Sequence, residues 1–426
     1  MLNIYKTISH LSKPALIALL MRRRALGKES PDRMNERKGK PSAERPEGKL
    51  FWVHAASVGE AQSALVLIQA VLKAYPHAHC LVTTGTVTSA ALMQDKMPKR
   101  ALHQFYPLDH PKWTNRFLDY WRPDLCLWME SELWPNMLLG IQKRNIPAAL
   151  INARLSARSF RKWKKVKSSI LRLLSTFNVI LTQTQKDAEH YKALGATDVQ
   201  VTDNLKYSAK PLGYDKDDYT ALVNAIAARP LITYASTHKG EEELAAQVHE
   251  ALKNKFPGLL SIIVPRHPHR GQDIANICEN HGLDPVLRRD TKRLPDRDTD
   301  IYIVNTIGEL GLIYDLAPFT FIGRTFSDDG GGGHNPLEPA LLNCAVLHGP
   351  HTQNLQDIFD DMDEAGAAMK IDNKNQMIAT MSSILENPDT LSGLQMNARE
   401  FATRKARVIN IVMDALEPQL TASLNP

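Results

Sequence analysis

One hydrophobic pattern recurs along most of the chain: a short apolar run, a polar or glycine-containing turn, and then apolar residues at helical spacing. Examples are KLFWVHAAS followed by AQSALVLIQAVLKAY, DLCLWME followed by PNMLLGIQKRN, and PLITYAST followed by GEEELAAQVHEALKNKF. Runs such as LLSIIV are almost wholly apolar, which is typical of strands that are covered on both faces of a parallel sheet. Because strands that alternate with helices form βαβ units, the pattern predicts an α/β fold with parallel sheets.

The length of the chain predicts two domains, since one hydrophobic core serves roughly 250–300 residues and the chain has 426. The stretch YSAKPLGYDKDDY at 207–219 combines Pro, Gly and a cluster of charges, which is typical of a linker. We therefore expect two Rossmann-like domains that face each other across a central cleft, at 31–207 and 221–395, with the linker at 208–220. We expect residues 396–426 to form a long amphipathic helix that packs back on the first domain.

The N-terminal segment 1–30 is basic and partly apolar. The formal net charge of the chain is +6, and residues 1–50 alone hold twelve Lys and Arg against five Asp and Glu. This local excess favours an anionic surface as the partner over a nucleic-acid groove. The apolar run from Pro14 to Met21 is far shorter than the ~20 residues that span a bilayer, and Arg22–Arg24 follow it, whereas a secretory signal has basic residues first. We expect a short helix that lies in the membrane interface; the alternative is an ordinary helix packed on the protein.

The spacing of the cysteines and the lack of common nucleotide-binding motifs exclude several classes of protein. Cys80, Cys126, Cys278 and Cys344 show no metal-ligand spacing, which predicts reduced, mostly buried thiols and a cytosolic compartment. The glycine motifs of dinucleotide-binding proteins and of P-loop proteins are missing. An Asp-x-Asp motif at 296–300 lies in the charged stretch RRDTKRLPDRDTD, and we interpret it as solvated surface. No metal and no cofactor are predicted.

Polar residues cluster where the predicted strands of the first half end, which is where open α/β sheets bind ligands. Ser57 and Glu60 have the spacing of a capping box, so Glu60 could serve only as a helix cap. It could equally be a general base, because a helix N-terminus favours the ionised carboxylate and Gly59 lets a substrate approach the backbone. Glu130 ends another strand, and two carboxylates at one edge suit acid–base chemistry. Glu132 is interpreted as a first-turn charge.

The second half offers a nucleotide site. The loop GGGGHNPLEPALL runs into a helix and can surround a phosphate or ribose with backbone N–H groups. Arg266, in PRHPHR, supplies a positive charge of the kind that pairs with phosphate. Together they favour a nucleotide as ligand; a plain flexible loop is the alternative.

The stretch RSFRKWKKVK at 158–167 carries six Lys and Arg in ten residues, with two aromatic residues among them. A basic helix with aromatics suits anionic headgroups or phosphorylated lipid. The alternative is a solvated helix face.

Nine motifs, in chain order, closely resemble the 3-deoxy-D-manno-octulosonic acid (Kdo) transferases of lipopolysaccharide assembly, glycosyltransferase family 30, which have the GT-B fold. They are HAASVGE, MESELWPN, INARLSARS, DNLK, STHKGEE, PRHPHR, IGEL, GGHNPLEP and GPHTQN, and the resemblance as a whole runs from about residue 12 to about residue 400. The resemblance implies inverting transfer of Kdo from CMP-Kdo to a lipid A precursor of the lipid IVA type, with release of CMP and without a metal. It also implies a location at the cytoplasmic face of the bacterial inner membrane, peripheral or anchored through the N-terminus.

The resemblance also implies residue roles. Glu60 matches the catalytic base of the family, and Glu130 and Lys206 match positions that stabilise the transition state. The implied CMP contacts are Pro265, Arg266, Gly308, Glu309, Leu310, Asn335, Pro336, Leu337 and Glu338. Further candidates for acceptor or phosphate contacts are Ser57, Gly59, Arg154, His238 and Asn354.

The loop before GGHN departs from the family pattern. It reads GRTFSDDGG, where many members have a shorter loop, so the way the phosphate is held at Arg324–Gly331 is in question. Two alternatives remain at this point: another GT-B nucleotide-sugar enzyme, such as an epimerase, or a non-catalytic protein that binds anionic lipid or glycan.

Overall fold

The structure, a computed structural model, describes residues 1–208, 211–289, 291–327 and 330–424. The chain divides into two compact units. The first comprises Met1–Ser208 and the C-terminal residues from Arg407 onward, and the second comprises the residues between them. Part of the predicted linker (209 and 210) and the last two residues of the predicted C-terminal helix (425 and 426) lie outside the described residues.

The first unit contains a parallel sheet of seven strands among the residues described. The strands are β1 (Leu50–Ala55), β2 (His79–Thr84), β3 (Ala101–Phe105), β4 (Leu125–Met129), β5 (Ala148–Ala153), β6 (Val179–Thr182) and β7 (Val199–Val201). Their spatial order is β3-β2-β1-β4-β5-β6-β7, and every pair is parallel. Because the order reverses beside β1, the carboxyl ends of β1 and β4 flank the position where such sheets bind ligands.

Helices cover both faces of this sheet. They are α1 (Leu2–Leu11), α2 (Lys13–Ala25), α3 (Val58–Ala74), α4 (Val87–Lys96), α5 (Pro111–Trp121), α6 (Pro135–Lys143), α7 (Ala157–Lys164), α8 (Lys167–Leu174) and α9 (Gln185–Ala193). Along β1, Phe51 and Val53 enter the core on the α3 side, whereas Leu50 and Trp52 enter the core beneath α5, α6 and α8. Burial on both faces explains why the strand is an unbroken apolar run.

The second unit repeats the architecture, again with a parallel sheet of seven described strands. They are β8 (Leu231–Thr237), β9 (Leu260–Pro265), β10 (Pro285–Leu287), β11 (Ile301–Ile303), β12 (Phe319–Ile322), β13 (Ala345–His348) and β14 (Ala368–Lys370), in the order β10-β11-β9-β8-β12-β13-β14. The helices are α10 (Lys216–Ile226), α11 (Glu241–Lys253), α12 (Gly271–Asn280), α13 (Leu310–Leu316), α14 (Leu337–Leu341), α15 (Gln356–Glu364), α16 (Lys374–Glu386) and α17 (Pro388–Ala406). The two parallel sheets with their helices confirm the predicted α/β class.

The C-terminal segment forms two helices instead of the single long helix that the sequence predicted. α17 ends at Ala406, and α18 (Val408–Leu424) begins two residues later. α17 packs on α14 and β13 of the second unit, whereas α18 packs on α3 of the first. α18 buries Val408, Val412, Leu416 and Leu420 at a spacing of four residues. The helix breaks where its packing partner changes, although neither Pro nor Gly marks the position.

The N-terminal segment likewise forms two helices, and α1 packs on α5 and α6. The Tyr5 hydroxyl donates to Asp109 Oδ2 (2.9 Å), and the Asn136 side-chain amide donates to Ser9 Oγ (2.9 Å). Large apolar side chains exposed on the two helices are Ile4, Ile8, Leu11, Leu19 and Met21, and Met1, which precedes α1, is exposed as well. Among the described residues, no helix combines the length and the apolar character needed to cross a bilayer.

Candidate active site

Glu60 is held at the start of α3. Ser57 is the N-cap: its Oγ accepts the Glu60 N–H (3.3 Å), and its hydroxyl donates to Glu60 Oε1 (2.9 Å). The Ala56 N–H donates to the other carboxylate oxygen, Oε2 (2.8 Å). The predicted cap is therefore confirmed, and it fixes the orientation of the Glu60 carboxylate.

The environment of Glu60 sets its acidity. Burial raises the pKa of Glu60 to about 7; the hydrogen bond from the Ala56 N–H opposes this shift, and the nearby charge of Glu130 adds to it. We expected the helix N-terminus to keep the carboxylate ionised, but desolvation of the 6% exposed residue outweighs that effect. A carboxyl group whose pKa lies near neutrality is suited to proton transfer at the operating pH of most enzymes.

Glu130 and Lys206 reach the same sheet edge. Glu130 follows β4, the neighbour of β1, and Lys206 lies in a 3₁₀ turn (Leu205–Tyr207) after β7. The Lys206 Nζ atom is 4.0 Å from Glu130 Oε1, and a Cβ atom added to Gly59 would lie 3.3 Å from the same Nζ. The structure thus brings together Glu60, Glu130 and Lys206, with the ammonium group against the glycine that precedes Glu60.

Burial raises the pKa of Glu130, while the positive charges of Lys206 and Arg154 oppose the shift. Arg154 is exposed and follows β5, so it lies at the predicted edge. The backbone of Glu130 is left-handed, with φ 56°. This conformation is unfavourable for a residue with a side chain and recurs at functional sites.

Asn152 also belongs to this site; the sequence pattern puts it at a predicted strand end but does not predict its role. It is the penultimate residue of β5, it is 1% exposed, and its backbone is also left-handed, with φ 55°. Its Oδ1 accepts the N–H of Leu205 (2.9 Å), while Asn204 Oδ1 accepts the N–H of Lys206 (3.1 Å). Asn152 therefore fixes the turn that carries Lys206. The one sequence signal for it is a polar residue at the end of the apolar run AALIN.

The predicted nucleotide contacts lie at the carboxyl edge of the second sheet. Pro265 ends β9, and the exposed Arg266 follows it, with its backbone N–H donated to Thr237 O (3.0 Å). Gly308 has φ 88°, and Leu310 begins α13. β11, β9, β8 and β12 are adjacent in the sheet, so the loops after them share one edge.

The GGHNPLEP motif follows β12 and ends in α14, whose first residue is Leu337. Pro336 precedes this helix. Asn335 accepts the Leu337 N–H (3.1 Å), and its amide donates to Glu338 Oε1 (3.3 Å). The motif thus forms a compact, internally hydrogen-bonded turn at the sheet edge.

Glu309 already has a partner within the unit. Its carboxylate accepts from Arg288 Nε (2.9 Å to each oxygen) and from the Thr306 hydroxyl. Arg288 is fully buried and also donates to Asp218 Oδ2 (2.7 Å). Arg288 is thus buried within an otherwise charged stretch, because its two carboxylate partners allow the guanidinium group to leave solvent. Asp296 is exposed, as predicted; position 290 lies outside the described residues.

A cavity of about 600 Å³ opens beside this segment. Residues 305–309 line it together with Tyr214, Pro268, Arg289 and Lys292. Its volume lies within the range of small-molecule sites.

The remaining candidates also lie near the glycine loop. His238, after β8, stacks on His334 with ring centroids 5.4 Å apart, and their Nε2 atoms are 3.2 Å apart. The Asn354 side-chain amide donates to Gly331 O (3.1 Å). Of the divergent loop Arg324–Gly331, positions 328 and 329 lie outside the described residues.

All four cysteines are buried and free, as predicted. Burial raises the pKa of the Cys80 thiol to about 12. Within the described ranges, no group of three or more His, Cys, Asp or Glu side chains could hold a metal ion.

Comparison with known proteins identifies the family. A family model described as 3-Deoxy-D-manno-octulosonic-acid transferase (kdotransferase) matches residues 32–209. The 3-deoxy-D-manno-octulosonic acid transferase of Rickettsia typhi is 34% identical over 373 residues, which cover 87% of this chain and 80% of that protein. The enzyme of the same name from Haemophilus influenzae is 31% identical over 390 residues, which cover 90% of this chain and 89% of that protein. The chain belongs to the Kdo transferase family.

Solved structures with a similar fold are more distant in sequence. The UDP-GlcNAc 2-epimerase of Neisseria meningitidis has a TM-score of 0.53 at 14% identity, covering 87% of this chain and all of that one (100%). A glycosyltransferase from Rickettsia africae has a TM-score of 0.51 at 12% identity, and the match covers 89% of this chain and 100% of that one. At such identities the likeness concerns the fold alone, and it agrees with the predicted GT-B class of two Rossmann-like units. As a member of the Kdo transferase family, the chain is a glycosyltransferase, while the roles of its individual residues stay predictions.

Proposed function

We propose that this Kdo transferase moves Kdo from CMP-Kdo to a lipid A precursor of the lipid IVA type and releases CMP, as a step in lipopolysaccharide core biosynthesis. The observation that carries the proposal is the grouping of Glu60, Glu130 and Lys206 at one sheet edge of a chain from this family. These are the three residues that the family resemblance assigns to the chemistry.

Glu60 acts as the general base. A sugar hydroxyl is a weak nucleophile, so a carboxylate must accept its proton during attack. As the acceptor oxygen forms its bond to the anomeric carbon of Kdo, the bond to the CMP phosphate breaks, and CMP leaves with the electron pair. Attack from the side opposite CMP inverts the configuration. A pKa of about 7 leaves a large fraction of Glu60 ionised at neutral pH, while keeping it basic enough to take the proton.

Lys206 and Glu130 stabilise the charges of the transition state. The donor carries a carboxylate and a phosphate, and the Lys206 ammonium offsets this negative charge. The Glu130 carboxylate, 4.0 Å from Lys206 Nζ, stabilises the positive charge that develops on the sugar as the leaving group departs. The Glu130 side chain is partly buried, at 23% exposed, which strengthens its interactions relative to water, whereas the Lys206 side chain is 37% exposed.

The nucleotide binds to the second unit. Arg266 is exposed and can pair with the phosphate, and the 308–310 and 335–338 segments lie at the same sheet edge. Because the Glu309 carboxylate is paired with Arg288, the backbone at 308–310 is the part of this segment that contacts CMP. The cavity of about 600 Å³ beside residues 305–309 leaves room for a nucleotide.

The lipid acceptor binds to the first unit. An apolar groove of about 340 Å³ is lined by residues that include Ile8, Leu16, Tyr106 and Trp134. Tyr106 connects the groove to β1, because the centroid of its ring lies 4.1 Å from that of His54, close to the end of that strand. We assign the groove to an acyl chain of the acceptor. A location at the anionic cytoplasmic face of the inner membrane is part of this proposal, and the exposed apolar side chains of α1 and α2 and the basic stretch 158–167 support it.

Product mass analysis after incubation with CMP-Kdo and lipid A precursor tests the proposal. The expected product is heavier than the acceptor by one or more Kdo residues, and CMP is released in equal number. An unchanged acceptor would contradict the proposal and favour a non-catalytic lipid-binding or glycan-binding protein. Turnover of a different nucleotide sugar in a donor screen, with none of CMP-Kdo, would favour another GT-B activity.

A further inference from the structure

Three consecutive glutamates begin α11, and they differ sharply in burial. Glu241 and Glu242 are 2% and 0% exposed, whereas the Glu243 side chain is 47% exposed. α11 follows β8, which lies between β9 and β12 in the second sheet. The first turn of α11 thus lies between the loops that follow the two neighbouring strands.

Glu241 binds the loop after β12. Its Oε2 accepts the backbone N–H groups of His238 (2.9 Å) and Arg324 (2.7 Å). Its Oε1 accepts those of Thr325 and Phe326 (3.0 Å each). Arg324 has a left-handed backbone, with φ 65°, and its carbonyl accepts the N–H of Gly333. One carboxylate therefore ties the end of β8 to the start of the loop that leads into GGHNPLEP.

Glu242 binds the turn after β9. Its Oε1 accepts from Arg270 Nη1 at 2.6 Å, and the Arg270 side chain is itself only 16% exposed. Arg270 ends the short 3₁₀ turn Pro268–Arg270, a few residues beyond Arg266. This ion pair ties the turn that follows Arg266 to the first turn of α11.

We propose that Glu241 and Glu242 are positioning residues for the donor: they hold, from opposite sides of β8, the two loops that present Arg266 and the glycine-rich segment to CMP-Kdo. The proposal rests on the proposed function for the location of the nucleotide. Neither carboxylate has to touch the donor, because each acts through the backbone or the arginine that it binds. Both come from the STHKGEE motif, to which the resemblance assigns no role for the glutamates.

Glutamine is the informative substitution. At position 241 a carboxylate offers two acceptor oxygens to four N–H groups, whereas an amide offers one oxygen and turns an NH₂ donor toward the other two. At position 242, glutamine removes the charge that pairs with Arg270. Glu243→Gln is the matched control, since it makes the same change in the same turn, on an exposed side chain that pairs with His281 (2.6 Å).

The test measures KM for CMP-Kdo, KM for the lipid acceptor, kcat and the rise in Tm that CMP causes, on the full chain. We expect Glu241→Gln to raise the donor KM about 10- to 100-fold and to reduce the CMP shift, with the acceptor KM unchanged. Glu242→Gln should do the same to a smaller extent, and Glu243→Gln should match the wild-type protein. The double variant Glu242→Gln/Arg270→Gln should be no worse than Glu242→Gln alone, because both act through one ion pair.

An unchanged donor KM and CMP shift would overturn the inference. So would a fall in kcat with both KM values unchanged, which is the result of a purely structural role that lowers the active fraction. If Glu241→Gln fails to fold, Glu241→Asp keeps the charge but is too short to reach all four N–H groups, and it should show the same change in donor KM. If CMP does not raise the Tm of the wild-type protein, the proposed function is contradicted as well. If CMP raises the Tm of the wild-type protein and of the variants equally, only this inference is contradicted.

Discussion

The pKa of Glu60 is set by the position of this residue in the fold. Two hydrogen bonds, from Ser57 Oγ and from the Ala56 N–H, fix the carboxylate, and burial raises its pKa to about 7. A cap and a base are thus compatible functions of one side chain. The cap sets where the carboxylate points, and its burial sets how strongly it holds a proton.

The raised pKa of Glu60 predicts a pH-dependent stability. The folded protein binds this proton more tightly than the unfolded chain, so the stability that it contributes is fully present below about pH 4.5 and is lost as pH rises through about 7. Glu60→Gln cannot ionise. Relative to the wild-type protein, the variant should therefore gain on the order of 1–3 kcal/mol in free energy of unfolding between about pH 5 and about pH 8.5. Urea unfolding of both proteins at the two pH values measures this; a difference that does not change with pH would contradict a buried, titrating carboxyl group.

Replacing Gly59 by alanine should lower the activity of the protein without lowering its stability. A Cβ atom at this position would lie 3.3 Å from Lys206 Nζ, so Gly59→Ala should displace the ammonium group by a few tenths of an ångström. Alanine is the better helix former, so the Tm should stay level or rise slightly. We expect turnover to fall about 5- to 10-fold, the equivalent of ~1 kcal/mol of transition-state stabilisation.

Gly393→Ala is the matched control for this change. Gly393 lies within α17, and a Cβ atom there would meet nothing within 4 Å. Unchanged turnover in Gly59→Ala would mean that the position of Lys206 against α3 does not matter for the reaction.

Sequence patterns find residues at strand ends better than residues that act through distant partners. Glu60 and Glu130 are predictable because each follows an apolar run, and parallel strands end at one sheet edge. The role of Asn152 was not predicted, because its partner, Leu205, lies 53 residues away along the chain. The burial of Arg288 is not predictable for the same reason: it depends on Glu309 and Asp218, 21 and 70 residues away, and not on its charged neighbours.

At the scale of elements, α1 and α2 combine packing on the protein with an outward apolar face. Arg23 pairs with Glu29 (2.7 Å), so it is partly neutralised, whereas Arg22 and Arg24 are exposed. Ile4 and Ile8 are 63% and 61% exposed on α1. The segment therefore offers both the apolar contact and the charge that an interfacial helix needs.

The exposed arginines of α2 should contribute to the binding of the protein to anionic membranes. The double variant Arg22→Ser/Arg24→Ser should weaken binding to anionic vesicles by ~1 kcal/mol per charge. A control with two exposed cations of the second unit, Lys216→Ser/Arg297→Ser, should leave partitioning unchanged. Sedimentation with phosphatidylglycerol-containing vesicles measures both. Equal partitioning of the α2 variant and the wild-type protein would contradict the membrane contact.

The breaks in the N-terminal and C-terminal helices are features that the sequence did not predict. The apolar spacing of the C-terminal segment continues across Arg407, and the periodicity therefore predicted one helix. The break instead follows from packing, since α17 and α18 bury their apolar faces against different units. The central strands, in contrast, were predicted well, because burial on both faces leaves them with an apolar signal that needs no knowledge of their partners. The partly buried edge strands β3, β10 and β14 lack this signal and were not predicted.

At the scale of the whole molecule, the proposed chemistry is divided between the units. The base and the charged groups around it belong to the first, and the nucleotide contacts belong to the second. A substitution at Glu60 should accordingly leave the response to CMP intact, and substitutions at Glu241 should leave the acceptor KM intact. This division makes the two halves of the proposed mechanism separately testable.

The most direct test of the account is the turnover of Glu60→Gln at saturating CMP-Kdo and lipid acceptor, at about pH 8, where the wild-type carboxylate is ionised. Glutamine keeps the shape of the side chain and can serve in a capping box, but it cannot accept the hydroxyl proton. If Glu60 is the general base, turnover should fall about 10²- to 10⁴-fold, while the CMP-induced rise in Tm is retained. Near-normal turnover of Glu60→Gln would show instead that Glu60 serves only to cap α3.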